Sequence, residues 1–247
     1  MTYSLRRWRS APVDRHTEGS PFGDPPDIVT VPAPETMWRV ATPDTGLKFN
    51  EIDPITAAGP HGNRFDVPGG GVLYCGTDVR GCFAETLARY RVKPGSAVAE
   101  AAAADTANGF MAPGNVAASW RDARRKFELR AVDALPFVDI EHEATRAHLT
   151  ARLASVLGEF DVEALDVPTI RGYNRRLTRA LARWIYTQID ENDKPLYSGI
   201  RYVSKHGDYE CWAVFDGTPV EERSSLSIEC HDPDLRHVAR IFALTIH

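Results

Sequence analysis

"GVLYCGTDVRGCFAETLARYR", residues 71–91, is the stretch that decides the fold. Its first seven residues form a short apolar run, which predicts a strand over Gly71–Thr77. Asp78 has the side chain of a helix N-cap, and helical spacing takes over behind it, so a helix is expected over Asp78–Arg91. Pro94-Gly95 then ends it. At roughly 100° per residue, Val79, Cys82, Phe83, Thr86, Leu87 and Tyr90 share one side, the side expected to meet a core. Glu85 lies well off that side, beside Gly81, with Ala84 and Ala88 nearby. Small neighbours leave room for something to approach the carboxylate. Taken alone, a helix glutamate is usually a solvated surface residue, so its weight depends on what the rest of the chain brings to it.

Upstream, "TMWRVAT" (Thr36–Thr42) predicts a strand in which Trp38 and Val40 alternate with Arg39. A long connection with several turn signals carries Arg64 in "NRFD" and a run of three glycines. Gly69, Gly70 and Gly71 fit neither phosphate-loop pattern and read as a turn. Downstream, strands are expected near Lys126–Val132 and in "PFVDIE". "EATRAHLTARLASVLGEF" reads as one helix, with Leu149, Leu153, Val156 and Leu157 at helical spacing. In "NRRLTRALARWIYTQID" the apolar stripe is Leu177, Leu181, Trp184, Ile185 and Ile189, and the arginines sit elsewhere. "SGIRYVSK" and "ECWAVFDG" follow as strands joined by a turn at His206-Gly207-Asp208, and Ile200, Tyr202 and Ser204 share one face of the first. "SLSIE" and the C-terminal "VARIFALTIH" also read as strands. Strands are grouped rather than strictly alternating with helices, so the fold class is α+β. Residues 1–35, rich in Pro, Gly, Ser and charge, read as a loosely ordered arm before a domain over 36–247. The rival reading is an arm packed on the domain or on a second subunit of a homodimer. The arm carries Arg6, Arg7 and Arg9 beside Trp8, groups able to occupy an anionic, stacking pocket.

Composition narrows the functions. At 247 residues the chain can bury a sizeable core. A formal net charge of −5 argues against a protein built to bind nucleic acid or coat anionic membranes directly. Cys75, Cys82, Cys211 and Cys230 have no metal-site or redox-pair spacing, so no metal is expected, and they read as small core residues in a reducing compartment. The basic N-terminus has no apolar run behind it, and no stretch of about 18 apolar residues follows, so a cytoplasmic protein without a membrane span is expected.

Arg39, Arg64, Tyr74, Glu85 and Ser204 each have an ordinary structural role open to them. Taken together, in the setting of "WRV" (38–40), "NRFD" (63–66), "LYCGTDVRGCFAETL" (73–87) and "SGIRYVSKHGDYECWAVF" (198–215), they resemble the RES-domain family, named for its Arg, Glu and Ser. The resemblance runs from about Trp38 to Phe215. It implies a single compact ADP-ribosyltransferase-like domain, with a small mixed, mainly antiparallel β-core and flanking helices. It also implies an enzyme that consumes NAD as substrate, with no permanently bound cofactor, and cleaves the nicotinamide–ribose bond by hydrolysis or phosphorolysis. Bacterial relatives include toxins paired with a helical antitoxin that carries a DNA-binding domain. Transfer of ADP-ribose to a protein, and a silent binding module, are the alternatives. Carried over by position, Glu85 is the catalytic carboxylate, with Arg39 and Ser204 beside it. Arg39 and Arg64 hold the NAD phosphates, Tyr74 packs on the nicotinamide end, and Ser204 lines the nicotinamide side. The chain departs from the pattern in its long arm, its Ala-rich stretch from about Ala97 to Ala118, and Val40, where relatives often carry an aromatic residue.

Overall fold

The strand read at 71–77 is the spine of the molecule. In the structure, a computed structural model describing residues 27–55, 57, 59, 61–92 and 111–247, it is β4 (Gly71–Gly76). One edge pairs antiparallel with β9 (Glu210–Phe215), setting Tyr74 against Ala213 and Gly76 against Cys211. The other edge meets β2 (Met37–Ala41) where Trp38 faces Gly76, and β3 (Asn50–Glu51) further along. Val72 and Leu73 are buried on opposite faces, which is why this strand reads as a continuous apolar run rather than an alternation.

Nine strands of the described residues make one sheet. Its order is β1 (Thr30–Val31), β7 (Phe137–Asp139), β8 (Gly199–Val203), β9, β4, β2, β6 (Arg125–Ala131) and β10 (Val220–Ser227), with β3 beside β4. Every pairing in it is antiparallel except β7 with β8, so the sheet is mixed and mainly antiparallel. One face carries α3 (Glu143–Arg152), α4 (Ala154–Gly158), α5 (Val167–Arg171) and α6 (Arg175–Tyr186). Their Leu149, Leu157, Ile170, Leu177 and Ile185 bury Val72, Ile200 and Phe215. On the other face the sheet packs on itself: Leu73, Trp212 and Val214 meet Met37, Phe127, Leu129 and Phe137. Four of the helices are grouped between β7 and β8, the one parallel pair, whereas β8, β9 and β10 follow one another with no helix between them, so strands and helices do not strictly alternate and the class is α+β.

The helix after β4 is α1 (Val79–Leu87), continued by a 3-10 turn over Ala88–Tyr90. Asp78 caps it as expected, its carboxylate accepting the Arg80 N–H at 2.8 Å. Phe83, Ala84 and Leu87 pack against Leu235, Val238 and Phe242 in a third apolar cluster.

Those last residues correct the sequence reading. "VARIFALTIH" is not a strand. α7 (Pro233–Phe242) takes its first half, and β11 (Thr245–Ile246), parallel to β5 (Asn115–Val116), takes only its end. The deciding signal lies before the apolar run. Asp232 accepts the N–H groups of Asp234 and Leu235, each at 3.0 Å, and Pro233 sits in the first turn. From there Leu235, Val238, Ala239 and Phe242 keep helical spacing. The helix read over 143–160 is also two: α3 ends at Leu153, whose ψ of 22° turns the chain into α4 while Leu153 and Leu157 both stay buried. Of the segment read as an arm, Thr30 and Val31 form an edge strand of the sheet, with Thr30 opposite Val138 and Val31 opposite Phe137. Residues 1–26, with Arg6, Trp8 and their neighbours, lie outside the described residues, as do 93–110, which take in Pro94-Gly95 and the first part of the Ala-rich stretch.

β8 must lie close to β9 for the site strands to converge, and Gly199 permits it. A Cβ at Gly199 would stand 2.2 Å from the Ala213 carbonyl oxygen and 2.7 Å from the Phe137 ring. Backbone cannot move aside as a flexible side chain can. Gly199→Ala is therefore expected to cost about 3 kcal/mol and to lower Tm by about 6–12 °C for a domain of this size. Thermal unfolding followed by circular dichroism checks this; a Tm within 2 °C of the parent, on that same scale, would show that the strands have slack.

Candidate active site

Strands, helices and loops from both halves of the chain converge on one cleft of about 690 Å³, and Arg39, Arg64, Tyr74 and Glu85 all line it. β2 supplies Arg39, the loop before β4 supplies Arg64, β4 supplies Tyr74, and α1 supplies Glu85. The turn after β8 supplies Lys205 and His206.

The loop that carries Arg64 is held from behind. Asp66 is buried and accepts the Asn63 N–H at 2.6 Å and the Tyr74 hydroxyl at 2.8 Å. The Tyr74 oxygen in turn accepts the Phe65 N–H at 3.1 Å. From α6, the Thr178 hydroxyl donates to the Arg64 carbonyl at 2.6 Å. The Arg179 guanidinium donates to the carbonyls of Ala57, Gly59, His61 and Asn63. Gly62 completes the turn at φ +82°, where a Cβ would also stand 2.5 Å from Asp66. Arginines on α6 were expected away from the apolar stripe; Arg179 is indeed off it, yet it is buried because it clamps this loop. Sequence reasoning did not single out Asp66, Thr178 or Arg179. The Asn-x-x-Asp spacing of a side-chain-locked turn was the available signal for Asp66.

Tyr74 is locked into this network. Burial pushes its phenol well above 10, and the neighbouring Asp66 carboxylate adds to the effect. The hydroxyl therefore stays protonated and donates to Asp66, while the residue still lines the cleft.

Arg64 is only 8% exposed. Its guanidinium lies 4.8 Å from the Tyr202 ring centroid and 5.5 Å from that of Phe65. Nη2 reaches the Val203 carbonyl at 3.4 Å and stands 3.9 Å from Glu85 Oε1. Nη1 is buried with no hydrogen-bond partner among the described residues, and so is Nε of Arg39. Arg39 Nη1 donates to the Tyr74 carbonyl at 2.8 Å. A buried cationic donor without an acceptor costs a few kcal/mol by itself, and such groups cluster where a ligand supplies the acceptor.

Glu85, 35% exposed, accepts the Ser204 hydroxyl at 2.7 Å. Ser204 is 1% exposed and itself accepts the His206 N–H at 3.0 Å. It was expected to line the nicotinamide side; in the structure its hydroxyl is directed at the Glu85 carboxylate. Small neighbours of Glu85 were expected to open space for a ligand. Ala84 is instead fully buried, and Gly81 lets the β8–β9 hairpin approach: a Cβ there would stand 2.8 Å from Tyr209. Gly81 and Ala88 do border the cleft.

Other titratable groups on the wall are tuned by burial. The His206 imidazole is held below 6.5 by desolvation, partly offset by Glu85, so it is neutral at pH 7. Desolvation, then Arg64, also lowers the Lys205 ammonium. Cys75, Cys82 and Cys211 are buried and free; burial raises the Cys75 thiol to about 12 and raises the other two thiols as well. Protonated thiols of this kind are poor nucleophiles. Among the described residues no three His, Cys, Asp or Glu side chains converge as a metal site, and no helix is long and apolar enough to cross a membrane.

An α+β domain with two arginines and one oriented carboxylate around a cleft is suited to an anionic substrate that develops positive charge as it reacts. Comparison with known families gives the class: the chain belongs to the RES-domain family, whose model matches residues 36–236. The matched span runs from the start of β2 into α7 and includes all five site residues. The family is known among NAD-related toxins of toxin–antitoxin systems. No curated protein matches the chain significantly.

Proposed function

We propose that this chain cleaves the nicotinamide–ribose bond of NAD, as a glycohydrolase or phosphorylase, and serves as the toxin of a toxin–antitoxin pair. The observation that carries the reading is Glu85, oriented by Ser204 at 2.7 Å and set beside the buried Arg64, in a cleft shared with Arg39 and Tyr74. A cleft of about 690 Å³ falls within the range of small-molecule sites. The guanidinium groups of Arg39 and Arg64 hold the pyrophosphate by paired N–H donors. The Tyr74 ring packs on the nicotinamide end. As the C–N bond lengthens, its electron pair leaves with nicotinamide, which becomes neutral, and positive charge builds on the ribose. The Glu85 carboxylate stabilises that charge, and water, which gives up a proton to solvent, or phosphate completes the bond at the anomeric carbon. Ser204 acts through Glu85 as a positioning residue. The thiols in the wall are protonated and take no part. A cytoplasmic enzyme of this kind would empty its own cell of NAD. A helical antitoxin covering the cleft is the expected restraint.

Incubation of the purified full chain with NAD, with and without phosphate, tests the reading. Free nicotinamide with ADP-ribose is the expected product of hydrolysis, and ADP-ribose 1″-phosphate that of phosphorolysis. A labelled protein in place of either would move the chain to the transferases. No nicotinamide under any of these conditions would overturn the proposal.

A further inference from the structure

Tyr173 is 88% exposed, yet it lines the cleft. An aromatic side chain exposed at the mouth of a cleft offers a ring face to whatever enters it. Its backbone is well held. Asp166 caps the short helix before it, Asn174 Oδ1 accepts the Leu177 N–H at 3.1 Å just after it, and its own carbonyl accepts the Arg175 N–H at 2.9 Å. The ring is thus presented by a fixed loop between α5 and α6. Lys205, from the turn after β8, places Nζ 4.4 Å from the ring centroid. At this exposure the ring face opposite the ammonium is open.

The charges on the wall point the same way. Arg39, Arg64, Arg89, Arg175 and Lys205 line the cleft against a single carboxylate, Glu85. No carboxylate lies within ion-pair distance of Lys205 among the described residues; burial and then Arg64 disfavour its charge and Glu85 offsets them only in part, so an anion beside it would be stabilising. An open aromatic face beside an ammonium suits a base attached to a phosphate: every base has a face to stack, and the ammonium takes the phosphate as a point charge.

The bond to be broken must lie at Glu85, so the far end of a dinucleotide must emerge at the rim. We propose that Tyr173 and Lys205 form the adenine end of the site, with the purine stacked on the open face of Tyr173 and the Lys205 ammonium on the neighbouring phosphate. This rests on the NAD reading of the cleft and adds a residue that sets specificity for the adenine-bearing end.

Calorimetry on the full chain tests it, with ADP and inorganic pyrophosphate as probes, since neither contains the bond to be cleaved. ADP is expected to bind more tightly than pyrophosphate. Tyr173→Ala should weaken ADP about tenfold, within the range measured for base–aromatic stacking, and pyrophosphate by far less. Tyr173→Phe should restore ADP binding, because the ring and not the hydroxyl does the stacking. At its exposure neither change endangers the fold. ADP affinity unmoved in Tyr173→Ala, equal losses for the two probes, or ADP no tighter than pyrophosphate in the parent would each overturn the proposal. Nicotinamide release measured in parallel keeps the two ideas separate. Release with no Tyr173 effect on ADP removes the adenine site and keeps the enzyme. The expected ADP pattern without release keeps the adenine site and removes NAD cleavage.

Discussion

Glu85→Gln is expected to lower nicotinamide release from NAD by about a hundredfold or more, in a chain that remains folded. Glutamine matches glutamate in size and can still accept the Ser204 hydroxyl, which now reaches Glu85 Oε1 at 2.7 Å. What disappears is the negative charge. The nearest cation, Arg64, stands 3.9 Å away, and Glu85 is 35% exposed, so the pair contributes little to stability. The charge matters when the ribose becomes cationic. Removing one preorganised electrostatic stabiliser typically costs 10²–10³ in rate. The loss should fall on kcat with KM little changed, because the interaction is made in the transition state and not with ground-state NAD. Product chromatography gives the rate, and circular dichroism checks the fold. Turnover within a few-fold of the parent would remove Glu85 from the mechanism.

How far the site could be read from the sequence follows the range of the interactions. The β4–α1 unit is local. Its apolar run, its Asp78 cap and its helical spacing lie within twenty residues, and the structure places strand and helix there. The alternation that puts Ile200, Tyr202 and Ser204 on one face of β8 is local too, and all three side chains are buried. Whether that face is open at Ser204 depends on where α1 lies, more than a hundred residues away in sequence. Periodicity carries no such information, so the serine's hydrogen bond to Glu85 was not legible. The same holds for the Arg179 clamp, whose carbonyl partners lie 116 to 122 residues upstream. The C-terminal helix is a different case. Its signal was local, in the Asp232-Pro233 start, but the apolar run after it suits a strand equally well. Thr30 and Val31 sit at a sheet edge because β7 presents one there; a two-residue strand has no period of its own to detect.

Arg64→Lys keeps the charge and is still expected to weaken ADP binding by about ten- to a hundredfold. The guanidinium is 8% exposed and lies over the Tyr202 and Phe65 rings, with Nη1 buried and without a hydrogen-bond partner among the described residues. That geometry suits a flat, weakly hydrated ion that presents two parallel donors. An ammonium is compact and strongly hydrated, loses more on burial, and cannot donate along both directions of a fork. Hydrogen bonds to charged groups contribute about 1.5–3 kcal/mol each, so losing one of two gives the stated range. Lysine is the informative substitution, because alanine would also remove the packing on both rings. Calorimetry with ADP, beside circular dichroism, separates two roles for this arginine. If it holds the pyrophosphate, Arg64→Lys raises the Kd for ADP. If it only orients Glu85 from 3.9 Å, the Kd stays within threefold of the parent while kcat for NAD falls, and the phosphate contact must then be reassigned to Arg39 and the cations at the rim.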